Sequence, residues 1–221
     1  MTTEAPRAVR LIGLLLLVQL ANLIVPFVLL QPALGRDVLV SAAPHASAMT
    51  MAVTLLYING AVTVAVSLLL WPHIRQHSEA AGLLLVAAGA VWLTLQVIDN
   101  AHLLSLLALS QRAAEGGAGA DLLPAATAAV QSTRRFVHYS TLIGIDAWLL
   151  VLFATCARFR LVPRAIGVLG IGTVLLHLGG MVLPLFQGRP PMTLLGASMG
   201  VMQLAVAGWV MVKGLPVATR R

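Results

Sequence analysis

An all-α, multi-pass transmembrane helical bundle of six spans is the fold class that this sequence predicts, and three observations predict it. Of the 221 residues, 59% are hydrophobic and only 10% are charged, against about 25% charged in an ordinary soluble domain. Apolar residues in such numbers overfill any core that a chain of this length can bury. They also come in runs of about 20 residues or more, the length a helix needs to cross a bilayer. The period-two alternation of a barrel strand is absent. In lipid the backbone must satisfy its own hydrogen bonds, so spans this apolar must be helices. Composition thereby excludes a soluble enzyme, a disordered chain and a disulfide scaffold. The single cysteine, Cys156, makes no intrachain disulfide and reads as a small apolar filler.

The first span covers Leu11 to Leu30 and is interrupted only by Gln19, Asn22 and Pro26. It follows Arg7 and Arg10, as a signal peptide would, but it exceeds the roughly 7–15 residues of a signal h-region. It therefore reads as an uncleaved span, with Ser41-Ala42-Ala43 as the place where a leader would be cut. The second span covers residues 48–71 and the third 80–109, long enough that it must tilt or project. Residues 111–135 form the longest polar connection, opened by Gly116-Gly117-Ala118-Gly119, with a short surface helix expected after Pro124. The fourth, fifth and sixth spans cover 136–157, 163–186 and 192–215, all within one transmembrane domain of residues 1–221.

The formal charge of +7 would suggest nucleic acid on a soluble domain. Here the bases sit in short gaps between apolar runs, where they set orientation. With the N-terminus inside, the inner segments carry Arg7, Arg10, Arg75, Arg158, Arg160, Arg164, Lys213, Arg220 and Arg221. The outer segments carry only Arg36, Arg112, Arg134, Arg135 and Arg189. Nine against five places both termini in the cytoplasm. Richness in arginine, alanine, leucine, glycine and valine fits a GC-rich bacterial genome, and hence a bacterial cytoplasmic membrane. The partner implied is the bilayer itself, with no nucleic acid; the arginines of the run 158–164 suit anchoring to anionic headgroups.

Two glycine patterns need a reading. Gly167-Val168-Leu169-Gly170-Ile171-Gly172 mimics a nucleotide loop, but it follows no strand and lies within a span, so it is not one. Gly196-Ala197-Ser198-Met199-Gly200 is a small-xxx-small pattern that lets helices approach closely. It serves packing within the chain or, alternatively, a homo-oligomer seam through Gly196 and Gly200.

The junction Arg158-Phe159-Arg160-Leu161-Val162-Pro163-Arg164-Ala165-Ile166-Gly167-Val168-Leu169-Gly170 resembles that of a bacterial membrane-protein family catalogued as a domain of unknown function, DUF4386. His138-Tyr139 and the apolar run closing with Trp209, Lys213 and Gly214 are similar to that family too. Gln203 stands where the resemblance leads one to expect an acidic residue. The resemblance implies several membrane helices and supplies no catalytic residues.

Ionisable side chains inside a span are costly, so each is a functional candidate. Five qualify: Asp99 and His102 in the third span, His138 and Asp146 in the fourth, and His177 in the fifth. His177 lies 14 residues beyond Pro163, roughly 21 Å into a core about 30 Å thick. The three histidines and Asp99 then fall in the outer third, with Asp146 nearer the middle. Asp99 and His102 are helix-surface neighbours, so the carboxylate could orient the imidazole or accept its proton. His138 and Asp146 lie about 80° apart around a helix and can share its inner face. Asn22, Tyr57 and Asn59 come from the first two spans at comparable levels.

These residues predict a small polar pocket in the outer half of the bundle that binds or passes a small ligand or a proton. Other readings stay open. His102, His138, His177 and Asp99 are the ligand types of an intramembrane zinc or copper enzyme, although no HxxxH or HExxH spacing pairs them. Two facing histidines could hold a b-type haem, a c-type CxxCH motif being absent. Gln203 reads as a helix–helix hydrogen bond. His45, His73 and His77 fall in loops and read as solvated.

Overall fold

The computed structural model describes residues 7–35, 37–116, 118–187 and 195–216. Helices make up 89% of these, and no strand occurs among them, so the all-α class holds. The long helices are α1 (Arg7–Leu30), α3 (Ala46–Ile74), α4 (Glu79–Glu115), α5 (Leu123–Phe159), α6 (Arg164–Gln187) and α7 (Gly196–Lys213), with a one-turn helix α2 at Val38–Ser41. Five segments are long and apolar enough to cross a membrane: Arg7–Leu30, Ala43–Ile74, Glu79–Glu115, Ala120–Phe159 and Arg164–Leu183. The region expected as the sixth span is helical as α7, whose 18 residues rise about 27 Å; it is not among the five. The opening residues of that span, 192–194, and the orienting charges Arg36, Arg189, Arg220 and Arg221 lie outside the described residues.

One expected boundary moves. Instead of a polar connection ending at Arg135 with its own short helix, α5 starts at Leu123 and runs unbroken for 37 residues. Pro124 sits in the first turn, where its missing N–H costs nothing, and no proline follows before Pro163. The polar residues 131–135 therefore decorate a helix.

The chain divides into two compact units. The first comprises residues 1–20, 62–92 and 142–221; the second comprises 21–61 and 93–141. The first unit's core is built on Ile12, Leu16, Trp92, Trp148, Leu152 and Phe153. Close approach there is set by glycine. A Cβ at Gly167 would lie 2.8 Å from the Ala157 backbone nitrogen, and one at Gly170 would run into the Phe153 ring. The glycine run is thus the groove in which α6 meets α5. Buried polar pairs also join helices: Gln203 donates from Nε2 to the Leu16 carbonyl and to Gln19 Oε1, both at 3.0 Å. Gln19 in turn donates to Thr63, so α7, α1 and α3 share one chain of hydrogen bonds. Trp148 Nε1 donates to Ser67 Oγ at 2.8 Å, and Gly89 leaves room for that pair.

The second unit's core holds Ala33, Met49, Ala52, Leu103 and Leu106. Its short α2 is tied down on both sides. Asp37 caps it by accepting from Leu39 N at 3.1 Å. Ser110 Oγ donates to Leu39 O at 2.7 Å and accepts from Ala43 N at 2.8 Å, replacing partners that helix ends lack.

Candidate functional site

The five ionisable candidates resolve into two carboxylate–histidine pairs, one in each unit, and one histidine outside both. In the first unit, Asp146 of α5 meets His177 of α6. His177 Nδ1 donates to Asp146 Oδ1 at 2.8 Å and Oδ2 at 2.9 Å. Asp146 is 0% exposed and His177 3%. With Nδ1–H held by the carboxylate, Nε2 is the free face of the ring. It has no partner among the described residues, and it points toward the start of α7: a Cβ added at Gly196 would sit 3.5 Å from it. Gly200, one turn on, faces Leu20.

In the second unit, Asp99 of α4 meets two residues of α5 that lie four apart and so share a face. His138 Nδ1 approaches Asp99 Oδ2 at 2.8 Å, and Arg134 Nε lies 3.1 Å from Asp99 Oδ1. The arginine contact is a charge pairing without hydrogen-bond alignment: neither atom has a hydrogen-bond partner among the described residues. Asp99 is 2% exposed, whereas the His138 side chain is 44% exposed. Nearby, Gln96 Nε2 donates to Asn100 Oδ1 at 3.0 Å, and Thr141 Oγ1 donates to Leu95 O at 3.2 Å, joining α5 to α4.

His102 does not pair with Asp99 as its spacing suggests. Its Nδ1 donates to the Ile98 carbonyl of its own helix at 2.8 Å. The imidazole reaches back one turn and is satisfied locally, which leaves Asp99 to α5. Among the described residues no group of three His, Cys, Asp or Glu side chains is placed to hold a metal ion. A small cavity in the first unit is apolar, lined by Ile12, Leu70, Ile74, Leu152, Leu161 and Val210 among others, and includes none of the five candidates.

A match to the family model described as a domain of unknown function (DUF4386) covers residues 11–214. The chain belongs to the DUF4386 family. No curated protein and no solved structure matches it. The junction carrying the resemblance, Arg158 to Gly170, is here the end of α5, the turn at 160–163 and the opening of α6.

Sequence reasoning missed Arg134, which it placed in an outer loop. Its four-residue spacing from His138 puts the two on one face once α5 is extended upstream, but nothing in that spacing names Asp99 as their partner. It also noted Gln19 only as an interruption, though that residue links Gln203 to Thr63.

Proposed function

We propose that this DUF4386 protein is a six-span protein of the bacterial cytoplasmic membrane, with both ends inside, and that its Asp146–His177 pair is a proton-loading site. Five apolar helices plus α7 supply the spans, and the arginine count supports the orientation. One observation carries the functional reading: a buried carboxylate–histidine pair whose outer imidazole nitrogen has no partner among the described residues. The two pairs differ in charge. Asp99 has Arg134 beside it, so its charge is balanced whatever His138 does. Among the described residues no lysine or arginine pairs with Asp146. The Asp146–His177 pair is neutral with an imidazolium and carries one negative charge with a neutral ring. In an apolar interior that difference matters, so gain and loss of one proton at Nε2 switches the pair between two electrostatic states.

The test is proton movement in proteoliposomes with an internal pH dye and an imposed pH gradient. Wild type should dissipate the gradient faster than protein-free liposomes. Asp146→Asn and His177→Gln should abolish the difference while melting as folded proteins. Gly196→Ala, which sets a methyl beside Nε2, should slow it. Wild-type rates in Asp146→Asn, or no wild-type flux above lipid alone, would sink the reading.

A further inference from the structure

One end of the first unit gathers seven cations, none of them in an ion pair among the described residues. Arg7 and Arg10 open α1, Arg75 follows α3, Arg158, Arg160 and Arg164 surround the α5–α6 turn, and Lys213 closes α7. All seven are exposed. None makes an ion pair among the described residues, and the acidic residue at this end within those residues is Glu79. The four chain ends belong together, because Ile12, Ile74, Leu161 and Leu215 line one small cavity.

The α5–α6 turn is more than a charge count. The helix ends in a Schellman-type closure, with Leu161 N donating to Cys156 O at 3.1 Å. That closure needs a left-handed residue, normally glycine. The residue here is Arg160, at φ 54°, and it is the non-glycine residue with positive φ among those described. A side chain in that conformation carries a steric cost that glycine avoids. Arg164 opens α6, the end at which a helix dipole disfavours a cation. Beside them Phe159 organises two further basic groups. The His77 ring stacks on it at 5.1 Å with 12° between planes, and the Arg158 guanidinium lies 5.8 Å from its centre. Orientation by positive charge requires only that arginines be present. It requires neither a left-handed arginine nor an aromatic platform that holds basic groups together, so these features point to a ligand.

We propose that Arg158, Arg160 and Arg164, with His77 at their side, form a headgroup site for an anionic phospholipid. Arginine forks match phosphate oxygens bidentately, and a lipid phosphate at the bilayer surface is the anion held at this depth. The site is independent of the Asp146–His177 reading, since it is tested by binding and not by flux.

The experiment is native mass spectrometry of the full chain released from micelles containing equal phosphatidylglycerol and phosphatidylcholine, repeated with added inorganic phosphate. Phosphatidylglycerol should be retained in excess, and millimolar phosphate should not displace it. Arg160→Gly should weaken retention about fivefold while melting no lower than wild type, because glycine suits the turn. Arg112→Ala, in the other unit, should retain the lipid as wild type does. Equal retention of the two lipids, an unchanged Arg160→Gly, an Arg112→Ala that loses as much as Arg160→Gly, or displacement by free phosphate would each overturn the proposal.

Discussion

A buried aspartate is stable only if something answers its charge, and the two aspartates here are answered differently. Asp146 accepts both its hydrogen bonds from one imidazole nitrogen. Replacing it by alanine leaves His177 Nδ1 buried without an acceptor, a loss of about 1–3 kcal/mol. Asparagine keeps an acceptor oxygen, so Asp146→Asn should unfold in detergent between wild type and Asp146→Ala; an alanine variant as stable as wild type would show that the pair holds nothing together. Asp99 depends on Arg134. Removing the partner of a buried charge costs about 3–5 kcal/mol, whereas Arg135 is exposed and pairs with no acid among the described residues. Arg134→Ala should therefore lower the melting temperature well below that of Arg135→Ala, and equal melting of the two would refute the pairing. All five candidates were legible as ionisable groups in apolar runs. Their partners were not. Spacing along one helix suggested Asp99 with His102, but a histidine in a helix can satisfy itself on the carbonyl four residues back, and the competition from α5 has no signature in local sequence.

Partners across helices follow from how the helices meet, and that is fixed by glycine. Asp146 reaches His177 because α6 lies against α5 along Gly167 and Gly170. A methyl at Gly167 would meet backbone at Ala157, which no rotamer change relieves, so overpacking of about 1–3 kcal/mol is expected. Gly172 has nothing within 4 Å of its would-be Cβ. There alanine should be neutral or stabilise by up to about 1 kcal/mol, through helix propensity. Thermal unfolding of Gly167→Ala and Gly172→Ala in detergent should thus move in opposite directions or differ clearly; parallel shifts would mean that the groove does not set the approach. The sequence carried the glycine run, and its rejection as a nucleotide loop agrees with its place inside α6. What hydropathy could not place was the start of α5. Polarity ends an apolar run without ending a helix, and the residues between Leu123 and Arg135 remain helical because no breaker follows Pro124.

At the scale of the whole molecule, the apolar character seen in composition reappears as surface. Phe27, Val28, Leu83, Leu84, Leu175 and Leu176 are all more than half exposed, a cost in water that lipid removes. Which way such a chain faces is decided by where its cations lie, and two exposed connections test it directly. Gln76 lies between α3 and α4, and Ala118 between α4 and α5; both are exposed, while the native Cys156 is buried and should stay silent. In intact cells a membrane-impermeant maleimide should label Ala118→Cys and leave Gln76→Cys unlabelled until the membrane is opened. The reverse pattern would invert the orientation, since the seven cations at the Gln76 end would then face outward against the charge rule. Labelling of both positions in intact cells would mean that α4 does not cross at all, and with it would fall the argument that Asp99 lies at membrane depth.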